Sequence, residues 1–306
     1  MVTVTRSQFS NLFFETELPA LEIVMTREEA LYPEFAPLIA DVRKGRGSVF
    51  QATQIWGPGS VAEVPEGGVF PDMTMQQGFP QTLRYRKYGG RAPVTREAMS
   101  DSRFSDILKG HRSLTRSIQE SRNLQFASLL INGVSVNGPD GVPLFSASHP
   151  TRYGGVQSNL ATVGADLDYA NFMLACTDFI RMRSPEGHYI QKMPATLLVS
   201  PFSAAIAYEI TAGGTRPDVA DRAVNVIDKL AGGKMPRVVV MPHLDSLSDD
   251  WGLFSEPGTN GIVWIDREKV YYNAWSEPSL EADLYQGAYR SVWGHIDYIG
   301  SYWNQG

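Results

Sequence analysis

Apolar and polar positions along the chain change rhythm several times, and each rhythm predicts an element. Over residues 48–56, SVFQATQIW alternates as a half-buried strand does, and FPQTLRYRKYGGRAPV (79–94) reads as its returning partner. Between them GPGSVAEVPEGGVFPDMTMQQG is too rich in Gly and Pro to continue either strand. A structureless stretch of that length is uncommon inside a compact domain and marks function or projection. An isolated two-stranded ribbon is also marginal in water. Its apolar side chains at Val69, Phe70, Met73, Met75 and Phe79 therefore need an external surface, which we expect on another subunit. With Trp56 and the basic Arg84, Arg86 and Lys87 they are the candidate assembly residues.

The rhythm then becomes helical. Phe104, Ile107, Leu108, Leu114, Ile118, Phe126, Leu129 and Leu130 recur at helical spacing. Asp101 or Ser102 suits the N-cap and Asn132-Gly133 the stop, so the spacing predicts a helix over 101–132. At ~1.5 Å per residue it is a beam of roughly 45 Å. A second helix is expected over 168–183, with Tyr169, Phe172, Met173, Cys176, Phe179 and Ile180 on one face. Then come a buried strand (195–200), a helix opened by Ser200-Pro201, and strands at 237–241, 251–255 and 261–266. The Tyr- and Trp-rich tail reads as long strands. The first forty-odd residues, ending in LYPEFAPLI, cannot make a core and must dock or stay mobile. These elements make an α+β chain.

Composition narrows the function. The 306 residues are 43% hydrophobic and 20% charged, enough for a real core. One cysteine excludes a disulfide framework and a cysteine-rich metal site. No apolar run approaches a membrane span, and the N-terminus lacks a signal-peptide layout, so folding in a reducing cytoplasm is expected. A net charge of −6 opposes a dedicated nucleic-acid binder. That charge is uneven: residues 84–122 hold ten Lys/Arg against four Asp/Glu, and residues 241–306 three against ten. The two stretches are either solvated surfaces or complementary faces of neighbouring copies.

The motifs for chemistry fail on inspection. Gly57-Pro58-Gly59-Ser60-Val61-Ala62 spells a dinucleotide fingerprint, but EVPEGG follows where a helix must begin. Ala231-Gly232-Gly233-Lys234-Met235 lacks the first glycine and the magnesium-binding hydroxyl of a phosphate loop. The five histidines are scattered, and Asp245, Asp249 and Asp250 read as a solvated loop. Glu281 and Asp283 are expected to face solvent, and Cys176 to be buried and inert. In GPDGVPLFSASHPTRYGG (138–155), Ser148 and His149 adjoin, yet no nucleophile elbow is present and adjacent side chains of an extended segment diverge. His149 is expected to bind backbone in an irregular segment, with Pro150 setting the chain direction. No catalytic residue, metal or cofactor is assigned.

The order of elements resembles the HK97-like major capsid protein of tailed bacteriophages, and within it the Mu-like major head subunit family. The resemblance rests on Asp140-Gly141-Val142-Pro143-Leu144-Phe145 with His149-Pro150, on Gly155 and Ser158-Asn159, on Val238-Val239-Val240-Met241-Pro242-His243-Leu244-Asp245 before Trp251, and on Gly300-Ser301-Tyr302. It implies an N-terminal arm (1–45), an extended loop (46–95), a peripheral domain (96–165 and 265–288) with spine helix 101–132, and an axial domain (166–264 and 289–306). Asp140, Gly141, Phe145, His149 and Pro150 would form the structural loop after the spine helix. The implied function is self-assembly into hexamers and pentamers of an icosahedral shell, built in a bacterial cytoplasm around double-stranded DNA bound without sequence specificity. Implied partners are a portal, a separate scaffold and decoration proteins, with no membrane. A cellular nanocompartment shell (encapsulin-like) and, more remotely, a Ser/His hydrolase are the alternatives.

Overall fold

In a computed structural model of the chain, the structure describes residues 32–95, 97, 104–212, 226, 234–247, 249–277, 279 and 282–306. Contacts divide it into two units, the first formed by Tyr85–Gln125 and Asp266–Val292 with the described residues before Phe35. The second comprises Phe35–Arg84, Phe126–Ile265 and Trp293–Gly306.

The ribbon is β2 (Val49–Trp56) paired antiparallel with β3 (Gln76–Arg84), following a short helix α1 (Ala36–Ile39) and strand β1 (Asp41–Lys44). The returning partner is shorter than the sequence suggests. At buried Tyr85 the chain leaves the ribbon, and β4 (Arg86–Thr95) pairs with the late strand β11 (Ala282–His295), from Arg86↔Ser291 to Thr95↔Ala282. The cause is local: a Cβ on Gly89 would stand 2.8 Å from the Ala288 Cβ and the Gly287 carbonyl. Gly89 and Gly90 thus allow β4 to close on the small Gly287 and Ala288 of β11. Strand order in this sheet is β1-β10-β11-β4, with β10 spanning Ile262–Glu277, far longer than the expected 261–266.

Helix α2 (Phe104–Ile131) belongs to the first unit as far as Gln125, and there Thr115, Ile118, Gln119 and Arg122 are buried. Its expected first residues, 101–103, lie outside the described residues, as do the side chains of Phe104, Ile107 and Leu108. The Arg122 guanidinium meets Glu34 (3.1 Å) and Asp266 (3.4 Å) and lies over the Tyr289 ring. A buried cation is tolerated only when paired in this way.

The second unit is built on a mixed sheet, β12 (Ser301–Asn304), β9 (Trp251–Phe254), β7 (Thr196–Val199) and β8 (Arg237–Val240), in that order. Every residue of β7, β9 and β12 is buried, which is why β7 and β9 read as largely apolar runs without alternation. Helix α3 (Tyr169–Arg181) packs on β9 and β12, capped by Asp168 accepting from the Asn171 amide at 2.6 Å. Its fully buried Phe172 and Phe179 each stabilise the fold by about 1.5–3 kcal/mol. Cys176 shares that face, and burial pushes its thiol up to about 12. Helix α4 (Ala204–Ala212) starts a turn later than Ser200-Pro201 suggests. Pro201–Ser203 form a turn, and the Ser203 carbonyl accepts from Ala207 N–H.

At the end of the LYPEFAPLI segment Phe35, Ala36, Ile39 and Ala40 join a core with Phe126, Leu130, Phe145, Phe254, Trp264 and Trp303, while residues 1–31 lie outside the described residues. Two small strands, β5 (His149–Pro150) and β6 (Val156–Gln157), pair beside it.

Candidate assembly site

The ribbon's root is fixed to the second unit by polar contacts. Gln54 donates to the Ile296 carbonyl at 2.7 Å, and Gln81 to that of His295 at 3.5 Å. Trp56 and Phe79 face each other across the two strands, ring centroids 5.4 Å apart at 81°. A Cβ on Gly78 would lie 2.7 Å from the indole nitrogen, so glycine there makes room for Trp56. These two aromatics therefore belong to the ribbon's own structure.

The tip differs. Residues 57–75 form no strand or helix, and Val69 (94% exposed), Phe70 (81%) and Met75 (72%) stand in solvent, with Met73 partly so. Ile55 and Val61, which sequence reasoning passed over, are as exposed as these. Among the described residues these side chains are left exposed. Burying one such side chain would gain about 1.5–3 kcal/mol.

Arg84, Arg86 and Lys87 are exposed around the point where the chain leaves the ribbon. Lys87 lies opposite Arg290 in the β4–β11 register, like charge against like. Its ammonium stands 5.9 Å from the Tyr271 ring centroid, and the Arg290 guanidinium 6.0 Å from that of Tyr85. The sheet thus presents cations held over aromatic rings.

The loop after α2 corrects the expectation for His149. Its partners are side chains rather than backbone: Nδ1 lies 2.6 Å from Asp140 Oδ2 and Nε2 3.1 Å from Asn159 Oδ1. The ring stacks on Tyr298 with centroids 3.8 Å apart and only 7° between the planes. Gly141, at φ +84°, makes the turn that returns the chain beside Asp140. Asn159 joins the loop together, since its Oδ1 accepts from Ser146 N–H at 2.9 Å and its amide donates to the Leu144 carbonyl at 2.8 Å. Ser148 pairs with Ser146 (3.3 Å), away from His149, and Phe145 stacks on Trp303. Next to this group His295 is buried, and burial lowers its pKa to about 4, opposed by Asp140 and assisted by His149. Every polar atom of the Ser-His stretch thus serves the loop, with no hydroxyl presented to an imidazole.

Among the described residues no group of three or more His, Cys, Asp or Glu could hold a metal. Asp250 accepts from Trp303 Nε1 at 3.1 Å and from Gly306 N–H at 3.2 Å, a structural role. Of the AGGK stretch only Lys234 is described, exposed and 3.9 Å from Glu256, while Glu281 and the Asp283 side chain lie outside the described residues. No described helix is long and apolar enough to cross a membrane.

A family model described as phage capsid protein matches residues 81–304. No curated protein sequence matches significantly. Among solved structures, the fold is similar to the virus-like particle from Pyrococcus furiosus, with TM-score 0.56 and 9% identity over 94% of this chain and 99% of that one. It is also similar to the procapsid of bacteriophage JBD30, with TM-score 0.54 and 11% identity over 99% of this chain and 76% of that one. A third is Microbacterium phage Oxtober96, with TM-score 0.57 and 10% identity over 87% and 89% of the two chains. At such identities these likenesses establish the α+β, HK97-like fold. The family match spans nearly three quarters of the sequence, and on it the chain belongs to the phage capsid protein family, as a major capsid protein of the virion shell.

Proposed function

We propose that this capsid protein is a Mu-like major head subunit whose hexamers and pentamers are joined through the ribbon. The exposed apolar tip of Val69, Phe70 and Met75 carries the reading, because a shell is where such a surface is covered. In this reading residues 1–45 are the arm, 46–95 the extended loop, 96–165 and 265–288 the peripheral domain, and 166–264 and 289–306 the axial domain. The 84–122 cations would meet the acidic 241–306 stretch of a neighbour. Many weak contacts suffice, because a closed array multiplies them. A portal and a scaffold complete the assembly, and the acidic balance of the chain suits a wall around DNA it does not grip.

A cellular shell of the same fold is the second reading, prompted by the Pyrococcus furiosus particle. The family match favours the phage head. A protein of this kind has no catalytic task, and the Ser146–Ser148 pairing supports that view.

The test replaces residues 59–73 with a two-residue Asn-Gly turn. We expect a soluble subunit with unchanged melting that builds no closed shells in electron micrographs. Normal shells from this variant would overturn the role of the tip.

A further inference from the structure

Two tight turns meet beside the end of the ribbon's strands, where its tip begins. In the first, Thr151 N–H donates to the Gly155 carbonyl (2.9 Å), with Gly154 at φ +82°. In the second, Ser184 N–H donates to the His188 carbonyl (2.7 Å), with Gly187 at φ +90°. The turns are tied together, because Arg152 N–H donates to the Pro185 carbonyl at 3.0 Å. Each presents one charged side chain to the ribbon. The Arg152 guanidinium donates to the Gly57 carbonyl with one nitrogen and to the Thr74 carbonyl, at 3.3 Å, with the other. The Glu186 carboxylate accepts the Gly57 N–H.

Gly57 is the first residue after β2, and Thr74 stands two before β3. Arg152 therefore bridges the outgoing and incoming chains where the ordered strands give way to the tip. A planar guanidinium suits this task, since its fixed fork can satisfy two carbonyls at once. Glu186 holds the other side of the same peptide unit region. The Tyr153 hydroxyl closes the space beyond: a Cβ on Gly59 would come within 2.9 Å of it.

We propose that Arg152 and Glu186 are positioning residues that clamp the base of the tip, where the strands end, and so fix the direction in which the apolar tip leaves the subunit. Without them the tip would sweep a wide range of directions, and each shell contact would first have to select one. The main chain is the target, so the clamp reads backbone polarity and tolerates any sequence at the tip. The consequence for shell building rests on the proposed function above; the clamp itself does not.

Hydrogen exchange on the full-length chain, kept unassembled at low concentration, tests the clamp directly. Arg152→Ala and Glu186→Ala should exchange at least about tenfold faster in peptides covering 55–58 and 74–77, in line with the loss of a charge-assisted hydrogen bond. Arg152→Lys, with a point charge in place of a fork, should fall between, and it also serves if Arg152→Ala fails to fold by near-UV circular dichroism. The double variant Arg152→Glu/Glu186→Arg should stay unprotected, because a carboxylate cannot donate to carbonyls nor a guanidinium accept from an amide. Unchanged exchange in the single variants overturns the clamp, and so does protection restored by the swap, which would signify an ordinary ion pair. Assembly is then read by electron microscopy. Faster exchange with malformed or polydisperse particles is expected, whereas faster exchange with uniform wild-type particles would overturn the positioning role. If even the wild-type chain builds no particles, the proposal that the ribbon alone joins the subunits fails while the exchange data still decide the clamp.

Discussion

His149 is held from three sides, by Asp140, by Asn159 and by the face of Tyr298. Truncation strips a buried carboxylate of its partner and leaves a void under a ring. We expect His149→Ala to lose about 2–4 kcal/mol, read as a fall in melting temperature, with no change in any hydrolytic background. His295 makes a second prediction, one of pH. Burial holds its folded pKa near 4, below the ordinary 6.5, so between those values the unfolded chain binds a proton that the folded chain refuses. Stability is therefore full above about pH 6.5 and declines as pH falls towards 4, by up to about 3 kcal/mol from this residue. Melts from pH 7 to pH 4.5 should fall more steeply for wild type than for His295→Gln. At this scale the sequence made Asp140, Gly141 and His149 conspicuous. Tyr298 was not legible as a partner of His149, because nothing local to a histidine marks an aromatic ring 149 positions away.

Elements were read best where a rhythm is self-contained. Helix α3 and the apolar strands β7 and β9 lie within a residue or two of expectation, because burial on one face or on both leaves its own pattern. The ribbon was harder. Alternation identified 79–94 as extended but could not say that the partner changes at Tyr85, since one strand looks the same beside β2 or beside β11. Glycine carried the missing information. Adding a Cβ at Gly89 would drive it into Ala288, so Gly89→Ala should cost about 1–3 kcal/mol and lower the urea midpoint, while the exposed Gly67 should accept alanine less harmfully, its φ of +76° being the only obstacle. Arg152 and Glu186 had no motif to reveal them: their task depends on two turns tied by a single backbone bond.

For the molecule entire, the order of elements was more informative than any motif, and the family match runs through most of that order, over residues 81–304. Charge acts at this scale too. If the 84–122 cations of one copy meet the 241–306 carboxylates of the next, added salt must weaken assembly, because exposed charges are screened beyond about 8 Å at physiological ionic strength. Light scattering across a salt series should show the assembly threshold rising with concentration; a threshold independent of salt would remove charge pairing from the interface.

Cys176 gives the molecule a practical property. The sole thiol of the chain is fully buried on α3 and, with its pKa raised to about 12, stays protonated and unreactive at neutral pH. The exterior is therefore blank to maleimides and to oxidative coupling. A cysteine introduced at Phe70 would be the single addressable point on each copy, and a fluorophore placed there would report the moment at which the tip passes from water into a neighbour's surface.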